Sequence, residues 1–144
     1  NSREELERMI PENWKQHLYK ETGERKKVVL YSVSSASFID YKEKAVDKLK
    51  RVLDTFEENK DDICLLWYWD VTMEEALRIN YPSLWKKVQE IVKDYLENDW
   101  GIYEEKSDKD RMVHLSDAYY GDGCAISQAM VMAEKPVMLQ NFDC

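Results

Sequence analysis

The chain has 144 residues, 44% hydrophobic and 35% charged, a balance that suits one globular domain with a proper core and argues against disorder. Asp and Glu number 29 against 21 Lys and Arg, a formal net charge of −8, and the two signs are interleaved. No basic face is therefore legible to release counterions from a nucleic acid. Three cysteines without CxxC spacing and two histidines argue against a metal site, and no apolar run is long enough to span a bilayer.

Scattered cysteines and the lack of a signal peptide suit a reduced, cytoplasmic setting. The chain opens on Asn1 without an initiator Met and stops after "NFDC", so a piece of a longer protein is expected. Residues 1–25, "SREELERMI" then Pro11 then "ENWKQHLYK", read as a helical lead-in to a domain over residues 26–144.

"KKVVLYSV" is a short continuous apolar run, as in a buried parallel strand, and "SVSSASFID" after it reads as a hydroxyl-rich loop. "YKEKAVDKLKRVLDTFEEN" places Ala45, Leu49, Val52, Leu53 and Phe56 at helical spacing. "DDICLLWYWD" is a second strand. A short helix follows, broken at Pro82, then a longer one with Leu84, Val88, Ile91, Val92 and Tyr95 inward. "WGIYEE" is a third strand, "DKDRMVHLS" a short helix, "DAYYGD" a fourth strand, "CAISQAMVMAE" a helix and "KPVMLQN" a fifth strand.

Strict strand–helix alternation predicts right-handed βαβ units. The expected fold is α/β: a Rossmann-like, doubly wound, mainly parallel five-stranded sheet with helices on both faces. Such sheets bind ligands at the carboxyl ends of their strands. That directs attention to residues 32–40, 68–72, 104–108 and 121–125, and to Gln140 and Asn141.

At Gly121-Asp122-Gly123-Cys124-Ala125 a strand passes into a helix expected to start near Cys124. The free N–H groups of a helix start attract an anion, usually a phosphate. The competing reading is a tight turn with Asp122 as the helix N-cap. Ser32, Ser34 and Ser35 can line a phosphate or ribose cleft, or belong to an ordinary loop whose serine caps the next helix. In "WYWD" the rings can stack on a base and Asp70 can accept from a hydroxyl. Alternatively Trp67 or Trp69 packs under a helix and Asp70 caps the next one. Asp117 and Asp122 stand too far apart along a strand to form a catalytic pair. Neither GxGxxG after the first strand nor GxxxxGK[ST] occurs. No catalytic residue, metal or cofactor is predicted within this chain.

"IPENWK", "KKVVLYSVSSASFID", "LLWYWD", "YPSLWKKVQEIVKDY", "WGIYEE", "RMVHLSDAYYGDG" and "EKPVMLQN" together resemble the C-terminal domain of the CDP-glycerol glycerophosphotransferase family, the teichoic-acid-type polymerases with a GT-B fold. The resemblance runs from Ile10 to Asn141 and is most specific at "SDAYYGD" and "KPVMLQN". It implies one half of a GT-B fold. This half would bind a CDP-activated donor whose glycerol phosphate, or a related polyol phosphate, passes to an acceptor at the cytoplasmic face of the membrane. The catalytic base would come from an N-terminal half, here a missing partner. The donor-binding residues implied are Ser32, Ser34, Ser35, Asp70, Tyr120, Gly121, Asp122, Gly123, Cys124 and Ala125.

Two departures stand out. Tyr68-Trp69-Asp70-Val71 occupies the place of an Arg-Pro-His-Pro-like segment, and Cys124 and Ala125 occupy the places of two serines. Backbone N–H groups survive these changes; cations and hydroxyls do not. The alternatives are therefore a catalytically degenerate Rossmann-like module that binds a partner, and a UDP-sugar enzyme domain related to nucleotide-sugar 2-epimerases, which shares the two-domain architecture.

Overall fold

The computed structural model describes residues 10–69 and 71–140, together with Glu4, Glu5 and Arg8. Its elements are α1 (Glu12–Leu18), β1 (Lys27–Ser32), α2 (Ser35–Tyr41), α3 (Glu43–Glu58), β2 (Ile63–Tyr68), α4 (Val71–Asn80), α5 (Pro82–Asn98), β3 (Ile102–Glu104), α6 (Lys109–Leu115), β4 (Ala118–Gly121), α7 (Ala125–Met132) and β5 (Val137–Leu139). The five strands form one sheet in the order β3-β2-β1-β4-β5, and every pairing is parallel. The expected α/β class and doubly wound, Rossmann-like arrangement are both present. The order reverses between β1 and β4, which makes that pair the topological switch point.

Each strand alternates its side chains between two helical layers. Tyr31, Leu65, Trp67 and Trp69 face α2, α3, α4 and α5 and join Phe38, Leu49, Leu77, Leu84 and Val88 in one core. Val28, Leu30, Cys64, Leu66, Ile102 and Tyr119 face the other way and join Trp14 and Leu18 of α1, Met112 and Leu115 of α6, and Ile126 and Met130 of α7. Burial on both sides explains why β1 and β2 read as unbroken apolar runs. The lead-in segment thus contributes Trp14 and Leu18 to the core, and the Trp14 ring lies 4.6 Å from the Arg111 guanidinium. Much of the chain before Ile10 lies outside the described residues.

The stretch after β1 corrects one expectation. "SVSSASFID" is helical from Ser35, because Ser34 caps the helix by accepting from the Ser37 N–H and Phe38 anchors it in the core. Lys42, at φ 50°, separates α2 from α3. The break at Pro82 falls as expected, with Pro82 as the first residue of α5.

A buried ion pair fixes the β3 edge. Arg111 donates to Glu104 through Nε at 3.0 Å and Nη2 at 2.6 Å, with side chains only 5% and 0% exposed. Such a fork satisfies both charges at once, as burial requires.

Candidate functional site

The site lies at the switch point, where β1 ends at Ser32 and β4 ends at Gly121, partners in register. Asp122 ties the strand ends together. Its N–H donates to the Ser32 carbonyl at 3.0 Å. One carboxylate oxygen accepts from the Ser34 N–H at 2.7 Å, the Ser37 hydroxyl at 2.7 Å and the Ser34 hydroxyl at 3.2 Å. The other accepts from the Gln140 amide at 2.8 Å. Gln140 N–H in turn donates to the Gly121 carbonyl at 2.8 Å. The loop after β1, the turn after β4 and the end of β5 are thereby one unit.

Tyr119 closes that unit from below, its hydroxyl donating to the Asp122 carbonyl. Burial, and next the contact with the Cys124 thiol, hold this hydroxyl well above its ordinary range, so it stays a donor.

Asp122 is therefore not the N-cap of α7, and that expectation is corrected. Cys124 is the N-cap; its N–H donates to the Ser127 hydroxyl at 2.9 Å, and that hydroxyl donates to the Cys124 carbonyl at 2.8 Å. Asp122 is drawn away because two serines and the Ser34 N–H offer it better partners across the switch point.

Beside this unit opens a cleft of about 300 Å³. Ser32, Val33, Ser34 and Ser35 form one wall, and Cys124, Ala125 and Ile126 the other. Tyr68, Ser107, Lys109 and Met112 complete it, with the Tyr68 hydroxyl donating to Ser107 at 3.2 Å. As first-turn residues of α7, Ala125 and Ile126 have N–H groups without intrahelical acceptors, and the helix dipole adds positive potential there. Lys109 supplies a full positive charge.

Of the sequence-predicted residues, Ser32, Ser34, Ser35, Cys124 and Ala125 meet in this cleft. Gly121 and Asp122 build its support. Gly123 is exposed in the turn, where an added Cβ would meet only Leu139 at 3.8 Å. Tyr120 is a correction: it points to the opposite face, stacked on Tyr31 with centroids 5.8 Å apart. Trp67 and Trp69 are core residues, packed edge to face. Asp70 lies outside the described residues.

Lys109 and Ile126 were not singled out by the sequence reading, and Tyr68 and Ser107 entered it only as members of the strand-end segments 68–72 and 104–108. The available signal was position: Ser107 lies within the 104–108 loop at the carboxyl end of β3, and Lys109 one residue past it. Asp117 sits at the amino end of the sheet, accepting from the Val28 N–H at 2.8 Å. Among the described residues no group of His, Cys, Asp and Glu is placed to hold a metal ion, and no helix is long and apolar enough to cross a membrane. Neither a protein-family model, nor a curated protein, nor a solved structure matches this chain.

Proposed function

We propose that the switch-point cleft binds the phosphate end of a nucleotide-activated donor, and that the chain is the donor-binding domain of a glycerophosphotransferase-like protein. One observation carries the reading: the α7 amino terminus at Ala125 and Ile126, the serines after β1 and the Lys109 ammonium converge on one cleft at the carboxyl ends of the strands. Amide groups and a cation suit phosphate oxygens, and Ser32, Ser34 and Ser35 suit ribose or phosphate oxygens. The narrower choice of a CDP-activated polyol phosphate rests on the sequence resemblance alone. Transfer needs a base and an acceptor site from the missing half, so this chain by itself binds and does not turn over.

A degenerate interaction module is the second reading. It is favoured by the scarcity of charge, since Lys109 is the one cation among the described residues lining the cleft.

The deciding experiment is a two-dimensional NMR titration of the labelled chain with CDP-glycerol, CMP and a UDP-sugar. Saturable shifts at residues 32–35, 109 and 123–126, larger for the cytidine ligands, are expected. Lys109→Ala should weaken that binding about tenfold, the loss of one charge-assisted hydrogen bond. A preference for the UDP-sugar moves the assignment to the epimerase-like alternative. Absence of saturable shifts from all three ligands overturns the donor-binding reading.

A further inference from the structure

Among the described residues one sheet face is only partly covered. α2, α3, α4 and α5 pack over β1 and β2 on that face, with α5 reaching β3, and α7 packs against β4 and β5 on the other. On the first face β4 and β5 present Tyr120 and Met138, which are neighbours in register. Met138 is 67% exposed there. Between these strands and α3 lies an open groove of about 450 Å³, lined by Lys48, Arg51, Val52, Thr55, Phe56 and Tyr120. All-parallel sheets are found with both faces covered, so an apolar strip that no described residue covers beside β1 calls for a covering element.

The two flanks of α3 differ. Lys50, Asp54 and Glu57 turn toward α5. Lys44, Lys48, Arg51 and Thr55 follow the helical repeat along the opposite flank, and Lys48, Arg51 and Thr55 line the groove. A chain of net charge −8 thus sets Lys48 and Arg51 against an apolar floor of Phe56 and Tyr120, with Met138 beside Tyr120 on β5.

We propose that this groove docks an amphipathic helix of a partner protein, with its apolar stripe on Phe56, Tyr120 and Met138 and acidic residues facing Lys48 and Arg51. A helix fits because it adds the layer that the sheet face lacks. Acidic edges fit because they complement the α3 flank. A second copy fits poorly: a two-fold pairing of this face would crowd the cationic flanks of both copies about one axis. The groove lies on the opposite side of the sheet from the switch-point cleft, so the inference does not depend on the donor-binding reading.

The test uses the full labelled chain and two synthetic helical peptides of about 20 residues, long enough for five turns. Both carry a leucine stripe; one has glutamates along its edges and the other lysines. The glutamate peptide should bind saturably, with shifts at residues 44–56, 120 and 138. The lysine peptide should bind at least about tenfold more weakly, and so should the glutamate peptide to the Lys48→Glu, Arg51→Glu variant. Arg51 is exposed and Lys48 half-buried, and circular dichroism checks that the fold is kept. Met138→Asp, on the β5 side, should weaken binding independently of α3. Equal binding of the two peptides, shifts centred elsewhere, or no saturation at millimolar peptide overturns the proposal. A concentration-dependent dimer broken by Met138→Asp also overturns it, by assigning the face to a second copy.

Discussion

Gly121 runs so close to Ser32 that a Cβ built on it would sit 2.1 Å from the Ser32 carbonyl oxygen, and its φ of 142° is one that L side chains rarely adopt. The first of the two glycines, the last residue of β4, thus serves the sheet by letting β4 end flush against β1. Gly121→Ala meets both a backbone clash and a strained conformation, and should lose about 2–4 kcal/mol. Gly123→Ala meets only ordinary contact with Leu139 and should change stability by less than about 1 kcal/mol. Denaturant unfolding of the pair, side by side, checks the contrast; equal losses would contradict it.

Asp122 accepts from three residues of two separate segments while only 8% exposed. Asp122→Ala strands the Ser34 N–H and the Ser37 hydroxyl, so a loss of about 2–4 kcal/mol is expected. Asp122→Asn keeps the shape but supplies one acceptor oxygen in place of two, and should fall between wild type and Asp122→Ala. Hydrogen exchange at the Ser34 amide reads the local effect. That amide should exchange faster in both variants even under conditions where the rest of β1 stays protected.

The alternation of strands and helices was legible because β1 and β2, buried on both faces, write continuous apolar runs that polar segments punctuate. The helix over "SASFIDY" was not, since Ser34 and the three small residues after it look like a loop until Phe38 has a core to enter. Tyr120 enters the expected donor-binding set through the family resemblance, whereas the pleat of β4 turns Tyr119, not Tyr120, toward α7. Lys109 was invisible among alternating charges. It becomes a cleft residue only when β3 is set beside β2 and the loop that follows is carried to the switch-point side.

The Glu104–Arg111 fork locks the edge strand β3 to α6, which delivers Lys109 to the cleft. Glu104→Ala leaves a guanidinium buried without its partner and should cost about 3–5 kcal/mol. Replacing both residues by apolar ones of similar volume should cost less than either single truncation, because no charge is then stranded. A double-mutant cycle by chemical unfolding measures this. Additive single losses would mean that the two charges do not act as a pair.

Alkaline pH probes the second core. Burial, only partly offset by the charges of Lys26 and Arg25, pushes the Cys64 thiol from its ordinary 9.0 up to about 12. The unfolded chain therefore loses this proton first. The contribution of the neutral thiol is whole below about pH 9 and is lost as the pH rises toward 12, up to about 4 kcal/mol in all. Burial raises Tyr31 and Tyr95 in the same sense, so their loss adds to it from above their ordinary 10.0. Cys64→Ala removes the thiol and leaves a small void, lowering stability near neutrality by about 1 kcal/mol. Its fall in stability between pH 9 and 11 should nevertheless be shallower than that of the wild type. Parallel curves for the two proteins, measured by denaturant unfolding across that range, would show that the Cys64 thiol ionises as freely in the folded chain as in the unfolded one.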